Sequence, residues 1–173
     1  MDLNDFSNSE ETALYFDEVL PEAVESLLVD AAEHYGEAEC ELRLLKAFFL
    51  APESLTVLVS LYRMYFYQHR YEETLITAAH ALRISGTRLG FPSDWQELQL
   101  SHLGSDLPLG LVRFYLFALK GMAYVKMRIG ELEEGEAMID KVMALDLEDR
   151  LGGSVLKEVI LETRRRPRLV VSN

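Results

Sequence analysis

The sequence predicts an all-α fold: antiparallel helical hairpins stacked as a solenoid of about three units, with a leading helix, a closing helix and an insert between units two and three. Three observations predict it. The hydrophobic pattern repeats at a 34-residue step, so that with Pro21 and Leu55 as first residues Tyr35 and His69, Cys40 and Thr74, Leu44 and Ala78, and Ala47 and Ala81 become equivalent. Residues that stop, turn or restart helices recur between the apolar stretches, at Pro21, Gly36, Pro52, Gly130 and Pro167. Nowhere does apolar and polar alternation run long enough to propose a strand.

Each element has its own local reason. Residues 1–8 are polar, and Ser9 is placed to cap a helix over 10–19, with Glu10 and Glu11 at the positive end of its dipole. The Pro21 ring disfavours a helical Leu20 and then suits the first turn of the next helix, which runs to about His34. Gly36 turns the chain and residues 37–50 return. Ala51-Pro52-Glu53-Ser54 stops and restarts it, and helices over 54–68 and 71–84 form the second hairpin around Arg70. The stretch from Ser85 to Pro92 is rich in turn residues and breaks the period. Ser93 with Gln96 reads as a capping box, so a short helix over 94–102 is expected, closed off by Gly104, Pro108 and Gly110. A long helix over 111–129, a turn at Gly130 and a partner over 131–145 resume the pattern. A closing helix over 153–166 carries Arg164, Arg165 and Arg166 where cations face the negative dipole end, and Pro167 stops it. No low-complexity linker marks a second domain. The chain therefore reads as one domain, 1–173: a leading segment 1–20, units at 21–54, 55–88 and 116–149, an insert at 89–115, and a closing helix and tail at 150–173.

Composition narrows the function. The chain carries 17 Lys and Arg against 29 Asp and Glu, a net charge of -12. That balance opposes a nucleic-acid backbone, whose binding needs cations to displace counterions, and equally an anionic membrane surface. The single cysteine, Cys40, has no internal disulfide partner and lies on an apolar helical face, as a buried small residue of a reducing compartment would. The start lacks a basic n-region and an apolar h-region, and no apolar run approaches ~18 residues, so a soluble cytoplasmic protein is expected. His34, His69, His80 and His102 are scattered without metal-ligand spacing, and Gly152-Gly153 lacks the context of a phosphate loop. Glu72-Glu73 and Glu133-Glu134 read as solvated helix faces. The expectation is a non-enzyme with no cofactor and no metal.

The 34-residue helical pair closed by Pro52 resembles the tetratricopeptide repeat (TPR). The positions that this family buries hold Val24, Leu27, Leu28, Ala31, Cys40, Leu44, Ala47, Phe48 and Leu50 in unit one. In unit two they hold Leu58, Leu61, Tyr62, Tyr65, Thr74, Ala78, Ala81, Leu82 and Ile84. Unit three, counted from Leu116, gives Leu119, Met122, Ala123, Lys126, Gly135, Ile139, Val142, Met143 and Leu145. Of these 27 positions 24 are apolar, where the 49% hydrophobic content alone gives about 13, so chance explains the pattern poorly. Gly121 and Tyr124 also fit a third unit shifted by two residues.

The resemblance implies a concave surface lined by the first helix of each unit. Unit one would contribute Glu22, Glu25, Val29, Ala32 and Glu33. Unit two would contribute Thr56, Val59, Arg63, Phe66 and Tyr67, and unit three Phe117, Lys120, Tyr124, Met127 and Arg128. The groove is then acidic at one end, and aromatic with basic residues at the other. Arg63, Phe66, Tyr67, Lys120, Tyr124 and Arg128 are its candidate partner-binding residues; the bland alternative is that the aromatics pack against the insert or a terminal helix. Glu25 and Val29 stand where the family's carboxylate clamp for chaperone tails wants Lys and Asn, which disfavours that role. Trp95 is a candidate anchor on the insert, although an edge-covering role suits it better. The Arg164–Arg168 tail reads as a solvated, dipole-capping cluster before an acidic-partner site.

A narrower resemblance rests on Arg113-Phe114-Tyr115-Leu116-Phe117-Ala118-Leu119-Lys120-Gly121, on residues 128–135 and on Asp146-Leu147-Glu148-Asp149-Arg150-Leu151-Gly152-Gly153. These runs look like the small TPR proteins encoded among bacterial nitrogen-fixation genes. That likeness implies an accessory, assembly or protective factor that binds nitrogenase, with the molybdenum-iron protein as its partner. The alternative is a class II type III secretion chaperone for translocator proteins, which are also small, acidic and three-repeat; the insert around Trp95 departs from their compact form. A remote alternative is a helical enzyme without a recognisable motif.

Overall fold

The computed structural model describes residues 18–165. The expected helix over 10–19, save for the non-helical Glu18 and Val19, and the segment Arg166–Arg168 with Pro167 lie outside the described residues. Seven α-helices and no strand are present among the described residues: α1 Glu22–Glu33, α2 Ala38–Leu50, α3 Leu55–Tyr67, α4 Tyr71–Leu89, α5 Leu109–Arg128, α6 Leu132–Leu145 and α7 Gly153–Arg165. They pack in chain order, each on the next, and α7 also reaches back to α5.

The starts follow local chemistry. Pro21 sits in extended backbone just ahead of α1, and the Ser54 hydroxyl caps α3 by accepting from Val57 N–H at 3.2 Å. The turns of the second and third hairpins are made alike. Arg70 N–H reaches back to the Tyr65 carbonyl and Glu131 N–H to the Lys126 carbonyl, both at 2.9 Å. His69, at φ 59°, occupies the left-handed position that Gly130 takes at φ 89°. Tyr65 and Lys126, like His69 and Gly130, are separated by the same interval as Leu55 and Leu116.

The structure departs from expectation around the insert. α4 does not end at Ile84 but runs on to Leu89. Ser85 is fully buried and satisfies its hydroxyl inside the helix, donating to the Ala81 and Leu82 carbonyls at 2.8 and 3.1 Å. Gly86 is a contact residue rather than a turn, since a Cβ there would stand 3.0 Å from the Tyr115 ring. The expected helix over 94–102 is instead two single 3₁₀ turns, Trp95–Glu97 and Leu100–His102. Asp94, not Ser93, caps the first of these by accepting from Gln96 N–H at 2.9 Å. α5 begins at Leu109, behind Pro108, two residues before the expected start at 111, so the stretch between α4 and α5 spans 90–108.

The main core joins α4, the insert, α5, α6 and α7 through Leu82, Leu89, Phe91, Leu98, Tyr115, Leu119, Ile139, Val142, Leu156 and Ile160. A second core of Val24, Ala31, Cys40, Leu44, Ala47, Leu61 and Met64 joins α1, α2 and α3. A third, small cluster of Leu55, Leu58, Val59, Ala81, Ile84 and Phe114 links α3, α4 and α5. Cys40, Ala47, Ala81 and Ile139 are all 5% exposed or less. Leu50 departs from its apolar-type position in being 53% exposed. Gly135 lets α6 approach α5, where a Cβ would lie 2.9 Å from the Ala123 carbonyl oxygen. Lys126, the one charge in the apolar pattern, turns out to Glu131 and Glu134.

Candidate functional site

The second half of α3 is the most aromatic stretch in the chain: Tyr62, Tyr65, Phe66 and Tyr67. Helical spacing puts Tyr62 and Phe66 on one face, and their rings stack with centroids 6.1 Å apart at 5°. The left-handed His69 then folds α4 back so that Tyr71 meets Phe66 at 6.1 Å. Tyr124 arrives from α5 at 5.9 Å, and Tyr67 closes the cluster edge-on at 5.8 Å. Four rings from three helices therefore converge on Phe66 to make a five-ring cluster, all within the range of favourable aromatic pairing.

The rim of the cluster is polar. Arg128, one turn beyond Tyr124, donates from Nη2 to the Tyr71 hydroxyl at 3.2 Å and holds its guanidinium 5.9 Å from that ring. That hydrogen bond is the main cause of its raised pKa. His69 Nδ1 lies 3.1 Å from the same hydroxyl. Tyr67, 45% exposed, meets Tyr35, 55% exposed, edge-on at 6.4 Å, extending the face to the turn between α1 and α2. Burial, with smaller contributions from Tyr124 and Tyr67, pushes the Tyr62 phenol far up, and burial with Tyr67 raises Tyr35. These phenols thus stay protonated at neutral pH. Beside Tyr35 lies a cleft of about 160 Å³ whose walls include Leu28, Ala31, Leu44, Ser60 and Arg63.

The structure brings Phe66, Tyr67, Tyr124 and Arg128 together and sets Arg63, one turn before Tyr67, on the adjoining cleft. Lys120 belongs to a different junction. It is 7% exposed, its ammonium donates to the Leu151 carbonyl, and it lies 5.5 Å from the Phe117 ring, tying α5 to the loop before α7. Trp95 packs half-buried against the main core. Val59 is buried at 9%, whereas Glu22, Glu25, Val29, Ala32 and Glu33 are exposed. Sequence reasoning missed Tyr35, Tyr62 and Tyr71. Tyr62 was legible as the residue four before Phe66, but Tyr71 joins only because of the turn at His69. Among the described residues no group of three or more His, Cys, Asp or Glu could hold a metal ion, and no helix is long and apolar enough to cross a membrane.

The described residues thus form an all-helical fold with rings and a guanidinium gathered on one face. By sequence, the chain is 46% identical over 164 residues to an uncharacterized 19.8 kDa protein in the nifW 5′ region of Azotobacter chroococcum mcd 1, covering 94% of this chain and 90% of the relative, and it belongs to the family of that protein. No family model and no solved structure matches the chain.

Proposed function

We propose that this protein is a non-catalytic TPR-type binding module of the cytoplasm, an accessory, assembly or protective factor that holds nitrogenase through its molybdenum-iron protein. The observation that carries the reading is the five-ring cluster around Phe66 with Arg128 across it. Tyrosine and arginine dominate the energetic centres of protein interfaces, because a large ring with a polar tip gains contact area at little entropy cost. Support for the partner is the nifW 5′ region of the relative, and the same location favours nitrogenase over a secretion translocator. Support for the repeat architecture is the matched turn chemistry at His69 and Gly130. A net charge of -12 keeps nucleic acid and anionic membrane out of the reading.

Affinity capture from a nitrogen-fixing host tests it. Tagged full-length protein should recover nitrogenase subunits. Arg63→Glu with Tyr67→Ala should lose them while keeping helical circular dichroism and melting temperature. Recovery of translocators would replace the reading with a secretion chaperone, and recovery of neither would overturn it. Metal analysis and a broad hydrolase screen test the non-catalytic part, which stoichiometric metal or turnover would contradict.

A further inference from the structure

A second concave surface lies where the insert, the start of α5 and the loop between α6 and α7 meet. It encloses about 450 Å³, within the size range of real ligand sites. Leu103, Leu107, Val112, Leu116, Leu145 and Leu151 give it an apolar floor. Leu109 and Leu147 stand on its wall at 63% and 75% exposure, with Leu100 beside them at 48%. Apolar surface thus continues outward from the cavity, as it does where a protein chain, rather than a small enclosed molecule, is the occupant.

The charges say which kind of chain. Four charged residues take part in the wall: Arg113, Asp146, Glu148 and Arg150. Three are committed internally. Asp146 accepts from Leu151 N–H at 2.8 Å, and Glu148 is paired with Arg150, whose Nε donates to it at 2.6 Å. Arg113 is exposed and has no ion pair among the described residues. It also stands near the start of α5, where the positive dipole end favours an anion. The net charge of -12 disfavours an acidic ligand at long range, as it does nucleic acid, but exposed charges beyond about 8 Å are largely screened at physiological salt, so Arg113 sets the preference at contact. Arg113 and residues 146–151 lie in the two outer runs that carried the narrower sequence resemblance, and the aromatic face uses neither.

We propose that this cavity is a separate docking site for an acidic, leucine-bearing peptide segment of a partner protein, with leucine side chains on the apolar floor and a carboxylate on Arg113. Fluorescence anisotropy on the full chain tests it with three probes: a labelled short peptide of leucine and glutamate at helical spacing, its leucine and lysine counterpart, and decanoate as competitor. The glutamate peptide should bind and the lysine peptide bind more weakly. Arg113→Glu should weaken the glutamate peptide about tenfold and narrow or reverse that preference, and Leu147→Asp should weaken both peptides. Both positions are exposed, so the variants should keep their melting temperatures.

The proposal is overturned if the glutamate peptide fails to bind at millimolar concentration, if Arg113→Glu leaves its affinity unchanged, or if decanoate binds more tightly than the peptide. It is also overturned if sedimentation shows a dimer that Leu147→Asp dissociates, which would make a second copy the occupant. Tyr67→Ala separates the two surfaces: it should leave peptide affinity unchanged whether or not nitrogenase capture depends on it, and a matching loss of peptide binding would place the peptide on the aromatic face.

Discussion

The two junctions between hairpins are built differently. α2 and α3 are joined by the short run Ala51–Ser54, yet they pack less extensively than the other consecutive helices. α4 and α5 are separated by residues 90–108 and pack as closely as the two helices of a hairpin. The difference lies in what fills the space. At the second junction Phe91 and Leu98 are buried, and Lys141 pins the insert by donating to the Gln96 and Leu98 carbonyls at 2.7 and 2.8 Å. At the first, Leu44 and Ala47 of α2 meet Leu61 and Met64 of α3 in the second core, while Leu42, Leu45, Phe49 and Leu50 stay exposed beside Leu27.

The first junction adds a polar clamp to its core. The Glu18 carboxylate accepts from Ser54 Oγ, Thr56 Oγ1 and the N–H groups of Leu55 and Thr56. Arg88 faces it at 3.2 Å and donates to the Glu53 carbonyl at 2.7 Å. The start of α3 is thus capped from a distant part of the chain, while the second junction depends on apolar burial. Both junctions bury apolar side chains, and chain separation did not decide how closely the helices pack.

That contrast predicts a graded series. Ala47→Arg should have the largest effect, more than about 4 kcal/mol, because it drives a charge into a site of zero exposure between α1, α2 and α3. Hydrogen exchange should then show α1 and α2 opening while α5 to α7 stay protected. Leu98→Ala should cost about 2 to 5 kcal/mol in urea unfolding, since it empties a fully buried position in the main core. Glu18→Gln should cost about 2 kcal/mol by weakening the charged acceptor at the start of α3. Lys141→Met should cost about 1 kcal/mol, and would sharpen the comparison by loosening exchange in residues 95–98 alone.

The clamp should also be visible in pH. Burial works against the charged Glu18 carboxyl, but its hydrogen bonds from Ser54, Thr56 and Leu55 outweigh that, and its pKa is lowered. A lowered carboxyl pKa means the unfolded chain takes up the proton first. Its stabilisation is therefore complete above the ordinary carboxyl range and is lost as pH falls through the lowered value. Acid titration followed by circular dichroism should show a shallower loss in Glu18→Gln than in the natural sequence.

Much of this was legible in the residues. The repeating apolar positions placed Val24, Leu44, Ala47, Leu61, Ala78 and Ile139 in cores, because helical periodicity and burial are the same physical fact seen twice. Local signals misled where tertiary contact overrode them. Ser85 and Gly86 look like a helix end, and became buried helix only because Ser85 satisfies itself and Tyr115 needs the space at Gly86. The aromatic face was half visible: Phe66 and Tyr124 come from a pattern, whereas Tyr71 depends on a non-glycine residue taking a left-handed turn. Lys120 was misleading for a third reason, since nothing local says that its ammonium ends on the Leu151 carbonyl. The Glu18 clamp spans 36 to 38 residues and has no local signature at all.

The most direct measurement is calorimetric titration of purified molybdenum-iron protein with the full chain and with Tyr67→Ala, Arg128→Glu. Saturable binding that falls at least about tenfold in the double variant, with an unchanged melting temperature, is the predicted result. Equal affinity in both proteins, or no binding by the natural sequence, would contradict recognition of nitrogenase through the rings and guanidinium gathered around Phe66.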